Sequence, residues 1–140
     1  MGRERAVKGR VLSPGEASAS ALVLREPLSL WGGLDPSTGE LIDAHHPQRG
    51  AQLGGRVLVM SSGRGSSSSS STLAEAARAG HAPAGFLLGE PDLILAVGAA
   101  VVDELYGHRI PVVVLAASDL AAIPDGIPIS IADDGEVTLR

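Results

Sequence analysis

The 140-residue sequence contains no cysteine, and its aromatic residues are one each of Trp, Tyr and Phe. The first absence removes disulfides, thiolate nucleophiles and cysteine-held metal or iron–sulfur sites from this chain. The second means a core built from Val, Leu, Ile and Ala, which favour thin sheets and close helix packing. Basic residues are in the minority, 11 Lys and Arg against 16 Asp and Glu, for a formal net charge of -5. Such a chain has no basic face with which to displace counterions from a phosphate backbone, so nucleic acid is not an expected partner. No stretch approaches the roughly 20 apolar residues that cross a bilayer, and the charged residues 1–10 have no apolar signal core behind them. No membrane segment is expected, and a cytoplasmic location is. The four histidines, His45, His46, His81 and His108, show neither the i, i+4 spacing of zinc ligands nor a carboxylate placed to complete a site, so no metal site is expected here.

Length and apolar content suit a single domain over residues 1–140. Residues 6–12 and 19–24 read as strands joined across Ser13-Pro14-Gly15-Glu16, a tetrad with turn chemistry that suggests a hairpin or meander. Residues 27–47 are dense in Gly, Pro, Asp, Ser and Thr and read as a long ordered loop. Val57-Leu58-Val59-Met60 is a short apolar run bounded by Gly and Ser, as expected of a strand buried on both faces. A helix is expected over 72–79 with Gly80 at its C-terminal cap, a strand over 85–88, a helix or mixed segment over 92–105 and a strand over 111–115. Residues 127–131 and 137–139 around Asp133-Asp134-Gly135 read as a closing hairpin. Strands alternating with helices imply a small parallel βαβ unit, with strands from both chain ends packed beside it in an α/β domain.

Six consecutive serines, Ser66 to Ser71, follow Gly63-Arg64-Gly65. By composition alone they are a flexible linker. By position they lie between a buried strand and a helix, where free backbone N–H groups and the positive end of the helix dipole receive an anion. Glycines beside Arg64 let the backbone approach a ligand, and Arg64 adds a charge that pairs with carboxylate or phosphate. Both readings stand at this point. A Walker loop is excluded, because no Gly-Lys-Ser/Thr follows at the required spacing.

The order Trp31-Gly32-Gly33-Leu34-Asp35-Pro36-Ser37-Thr38-Gly39, Ile42-Asp43, His46-Pro47, Gly50, Gly63-Arg64-Gly65-Ser66-Ser67 and Ala82-Pro83-Ala84 resembles the small subunit, or swivel domain, of aconitase X over nearly the whole chain. The resemblance implies a swivelling β/β/α domain, barrel-like, and a place in a hydro-lyase such as phosphomevalonate dehydratase or cis-3-hydroxy-L-proline dehydratase. It implies a heterodimer with an aconitase X large subunit that holds an iron or iron–sulfur centre, no cofactor in this chain, and a small anionic hydroxy acid as substrate. It makes Ser66 the proton acceptor, with Arg64, Gly65, Ser67 and Ser70 as substrate-binding candidates. Ser68-Ser69-Ser70 stands where the family more often has Thr-Gly-Ser or Val-Gly-Ser, and Ser70 keeps the family serine. An alkoxide on Ser66 requires strong stabilisation from the turn.

Trp31, Gly32, Gly33, Asp35 and Thr38 are loop or interface candidates by the same resemblance, although Asp-Pro-Ser-Thr-Gly is also ordinary turn chemistry. Adjacent His45 and His46 on a loop are expected to be solvated. Asp92 after Glu90-Pro91 reads as a helix cap rather than one of a catalytic carboxylate pair. Two other functional classes stand beside this one: a non-catalytic swivel or assembly module that binds a large subunit or a small anion, which the altered serine run keeps open, and a phosphohistidine carrier of similar architecture. The carrier needs a histidine in a Gly-rich Thr/Ser-x-x-His turn, which none of the four occupies.

Overall fold

The computed structural model describes residues 4–63 and 65–140. Among these the chain order is β1 (Arg5–Lys8), β2 (Arg10–Ser13), β3 (Ala17–Val23), β4 (Val57–Met60), α1 (Ser68–Arg78), β5 (Gly85–Leu88), α2 (Leu93–Tyr106), β6 (Val112–Val114), α3 (Ala117–Ala121), β7 (Pro128–Ile131) and β8 (Glu136–Leu139). The strands lie in the order β1-β8-β7-β3-β4-β5-β6-β2. β3, β4, β5 and β6 run parallel to one another, with α1 and α2 as the crossovers that parallel neighbours require.

Alternation along the central strands feeds two cores. Leu58 and Met60 of β4, with Phe86 and Leu88 of β5, pack against Leu73 of α1 and Leu95 and Val102 of α2. Val57, Val59 and Leu87 point the other way, onto Ile129, Ile131, Val137 and Leu139 of the outer strands. The layering is therefore β/β/α, and β4 and β5 are buried along their whole length because both their faces are covered. β3 links the layers: Ala17 to Ser20 pair antiparallel with β7, whereas Ala21 to Val23 pair parallel with β4. The expected barrel-like α/β architecture with a parallel unit is what forms.

Three local expectations differ from it. Residues 6–12 form two strands interrupted at Gly9, and neither pairs with β3; β1 runs antiparallel to β8 and β2 to β6. The two pieces satisfy the open edges of the sheet, a demand that outweighs pairing across the nearby turn. α1 begins at Ser68 rather than at 72, so four of the six serines are helical. α3 was not expected, and five residues carry too little periodicity to reveal it. The 92–105 segment is wholly helical, with Asp92 accepting the Leu95 amide at 3.1 Å as its N-cap. Gly80 follows the α1 C-cap at φ 82°, and β7 and β8 form the expected hairpin.

Candidate active site

α1 and α2 both start at the C-terminal edge of the parallel strands, where open α/β sheets bind ligands. The Ser66 turn lies there, between the end of β4 and the first turn of α1. Ser66 Oγ accepts the Ser68 amide at 3.3 Å, and Ser66 O accepts the Ser69 amide at 2.9 Å. A backbone donor is therefore aimed at the hydroxyl oxygen, with the positive end of an 11-residue helix behind it. Ser67 is the N-cap residue yet makes no side-chain cap bond; the residue before it supplies the oxygen through a short local turn instead.

The glycine-rich loop is fastened to this turn. Leu28 forms a parallel bridge to Gly63. The Trp31 amide donates to Ser69 Oγ at 3.2 Å, and Ser69 Oγ lies 3.3 Å from Ser29 Oγ. Ser69 is 4% exposed while Trp31 is 61% exposed, so the serine anchors a loop whose tryptophan ring faces outward. Gly32 takes φ 80°, and a β-carbon on Gly33 would collide with Ser29 O and the Leu28 side chain. Both glycines shape the Trp31 bend.

The other described candidate residues separate into three groups. Gly65 and Ser66 share a narrow crevice with Ser69, Gly63, Leu28 and Asp92. Its free volume of about 10 Å³ admits one water at most, so it is a crevice and not a substrate-sized cavity. Ser67 and Ser70 line a neighbouring groove of about 250 Å³ with Leu93, Ile94 and Val97, and the Ser70 hydroxyl donates to Ser67 O at 2.9 Å. Asp35 and Thr38 are elsewhere. Asp35 Oδ1 accepts the Ser37 amide and hydroxyl, which hold its carboxyl below the ordinary range, and Gly39 of the same turn lies close to the His81 carbonyl beyond the C-terminal end of α1. That end is about 16 Å from Ser66 along an 11-residue helix, so Asp35 and Thr38 build a turn rather than the Ser66 site. Arg64 lies outside the described residues.

A larger cleft of about 420 Å³ opens at the same strand ends on the α3 side, between Val23, Met60, Ser61, Ser62, Gly89 and Leu120. Its lining is mainly apolar and holds none of the candidate residues singled out from the sequence. Volume alone therefore does not locate the chemistry. His46, expected to be solvated, is 6% exposed. Its Nδ1 accepts the Gln48 amide at 3.1 Å and its Nε2 donates to Glu26 O at 3.1 Å, which makes it a fastener of the loop. Ser69, Ser29 and Asp92 escaped sequence reasoning as site neighbours; only Asp92 carried a signal, and that signal was capping.

The aconitase X swivel domain, as a family, matches residues 6–139. The chain belongs to this family. The phosphomevalonate dehydratase small subunit of Thermococcus kodakarensis is 34% identical over 134 residues, which is 95% of each chain. The cis-3-hydroxy-L-proline dehydratase of Pseudomonas aeruginosa is 48% identical over 117 residues, 82% of this chain but 20% of that protein. The swivel-family chain thus spans about a fifth of the length of that relative. The holo-form crystal structure of Thermococcus kodakaraensis aconitase X superimposes with a TM-score of 0.85 at 34% identity, covering 97% of this chain and 98% of that one. Among the described residues of this swivel domain, no helix is long and apolar enough to cross a membrane.

Proposed function

We propose that this chain is the small, swivelling subunit of an aconitase X type hydro-lyase and that Ser66 is the proton acceptor in the elimination of water from a small anionic hydroxy acid. The observation that carries the reading is the Ser68 amide donated to Ser66 Oγ at the head of α1. Donors fixed before the reaction cost no reorganisation when negative charge develops on the oxygen. The substrates in the relatives' names, phosphomevalonate and cis-3-hydroxy-L-proline, are both β-hydroxy carboxylates. Ser66 Oγ, ionised to the alkoxide, takes the proton from the carbon beside the carboxylate and becomes the neutral hydroxyl, the C–H electron pair forms the double bond, and the hydroxyl leaves the next carbon with its own pair. Gly65 and Ser67 flank the serine where substrate must lie, and Ser70 supports the turn through Ser67 O.

A departing hydroxyl calls for an acid. An iron or iron–sulfur centre would supply Lewis acidity, but this chain does not fit such a group: it has no cysteine, and no three His, Asp or Glu side chains converge among its described residues. The centre belongs in this reading to a larger partner, in the same or a separate chain, and the working unit is cytoplasmic.

The test is to combine the chain with a candidate large subunit and assay water loss from both acids. Ser66→Ala is expected to lower turnover by at least about a hundredfold. Retained activity removes Ser66 from the mechanism. Tight binding of the large subunit with no activity toward either acid favours the assembly-module reading.

A further inference from the structure

Asp92 stands across the crevice from the Ser66 turn, and its two carboxylate oxygens are engaged differently. Oδ1 accepts the Leu95 amide and caps α2. Oδ2 is turned toward Gly63, where it occupies the space that a β-carbon would fill. Gly63 is also bridged to Leu28, so this glycine is gripped from two sides. An N-cap needs a single oxygen, which Ser, Thr or Asn supplies as well as Asp. The second oxygen therefore does something that capping does not explain, and what it meets is the turn. Its charge is no help to an alkoxide in the same crevice, so its contribution is one of shape.

We propose that Asp92 is a positioning residue for Ser66, setting through Gly63 how the chain leaves β4 and hence where Ser66 Oγ points. The role rests on Ser66 being the proton acceptor. It also accounts for the first glycine of Gly63-Arg64-Gly65, since any side chain at position 63 displaces the carboxylate.

The test uses the chain with its large partner, Ser66→Ala serving as the reference. Asp92→Ser keeps a capping oxygen but withdraws the arm from Gly63. It is expected to hold Tm within about 3 °C while kcat falls about tenfold at constant KM, the mark of a misplaced reacting group. Asp92→Asn, with the same shape and no charge, recovers most of that loss. Gly63→Ala lowers turnover through the collision, and adding Asp92→Ser to it restores part, because the space is vacated; this non-additivity identifies the contact. Independently of turnover, amide hydrogen exchange over residues 65–69 is faster in Asp92→Ser than in the unaltered chain, with Val57–Met60 unchanged. Unaltered kcat and exchange in Asp92→Ser, or strictly additive effects at 63 and 92, overturn the proposal. If Ser66→Ala turns over normally, the proton-acceptor reading fails, and the exchange and coupling measurements then decide only whether the Asp92 contact orders the turn.

Discussion

Gly98 of α2 lies against the backbone of Ser70 in α1: a β-carbon built on Gly98 would stand 3.1 Å from Ser70 Cα and 3.2 Å from Leu73 Cδ2. This close approach brings the starts of both helices together at one end of the sheet, which is why the serine turn and the Asp92 cap share a crevice. Gly98→Leu is expected to force α1 away and to cost about 1–3 kcal/mol by overpacking, read by denaturant unfolding, with loss of turnover in the assembled enzyme. An unchanged unfolding midpoint would show that the helices are not pressed together here.

Ser69→Ala removes the acceptor for the Trp31 amide. Ser69 is buried, so the amide is left without a partner, at a cost of about 1–3 kcal/mol. Chemical denaturation followed by the fluorescence of the lone tryptophan measures this directly. A cost under about 0.5 kcal/mol would mean that water replaces the hydroxyl.

Trp31 itself is largely exposed beside the turn that the proposed partner must reach. In the free chain its fluorescence is expected to be quenched readily by acrylamide, and the large subunit is expected to protect it. Equal quenching with and without the partner would place the loop outside the contact.

Acid dependence follows from Asp35 and Asp134. Ser37 hydrogen bonds lower the first, and the Lys8 ammonium, 3.0 Å from Asp134 Oδ2, lowers the second, both from 3.8. A carboxyl that ionises more easily folded than unfolded adds stability above its ordinary value, and that stability disappears as pH falls through the folded value. Tm should therefore be insensitive to these groups at neutral pH and decline below pH 3.8. Asp134 is exposed and Asp35 half-buried at the surface, so the contribution is small; in Asp35→Asn the acid decline should be shallower. An identical decline in Asp35→Asn would assign it to other carboxylates.

The buried strands were legible because burial on both faces leaves an uninterrupted apolar run, as in Val57–Met60 and Gly85–Leu88. The Asp92 cap was legible for a local reason too, an oxygen ahead of an apolar helix. The partners of β1 and β2 were not, since edge pairing with β8 and β6 joins residues far apart in the chain and leaves no local mark. Ser68 to Ser71 carry no helical signal of their own, because serine competes with the helical backbone for hydrogen bonds. Here packing decides otherwise: Ser69 is held by Ser29 and the Trp31 amide, and Ser70 fits against Gly98. The position of Ser66 between strand and helix could be foreseen, whereas its nearness to Asp92 arises only once two crossovers lie side by side.

β1 and β2 are separated in the chain by Gly9 alone, yet they occupy opposite ends of the strand order. The first strands thus act as a clasp, each half fastening one rim of the curved wall. Cutting the clasp at Gly9 would leave β8 with a row of bare amides and carbonyls, open to pairing with a neighbouring molecule. Damage to so short a segment would then first appear as self-association, well before any change reached the serine at the far end of β4.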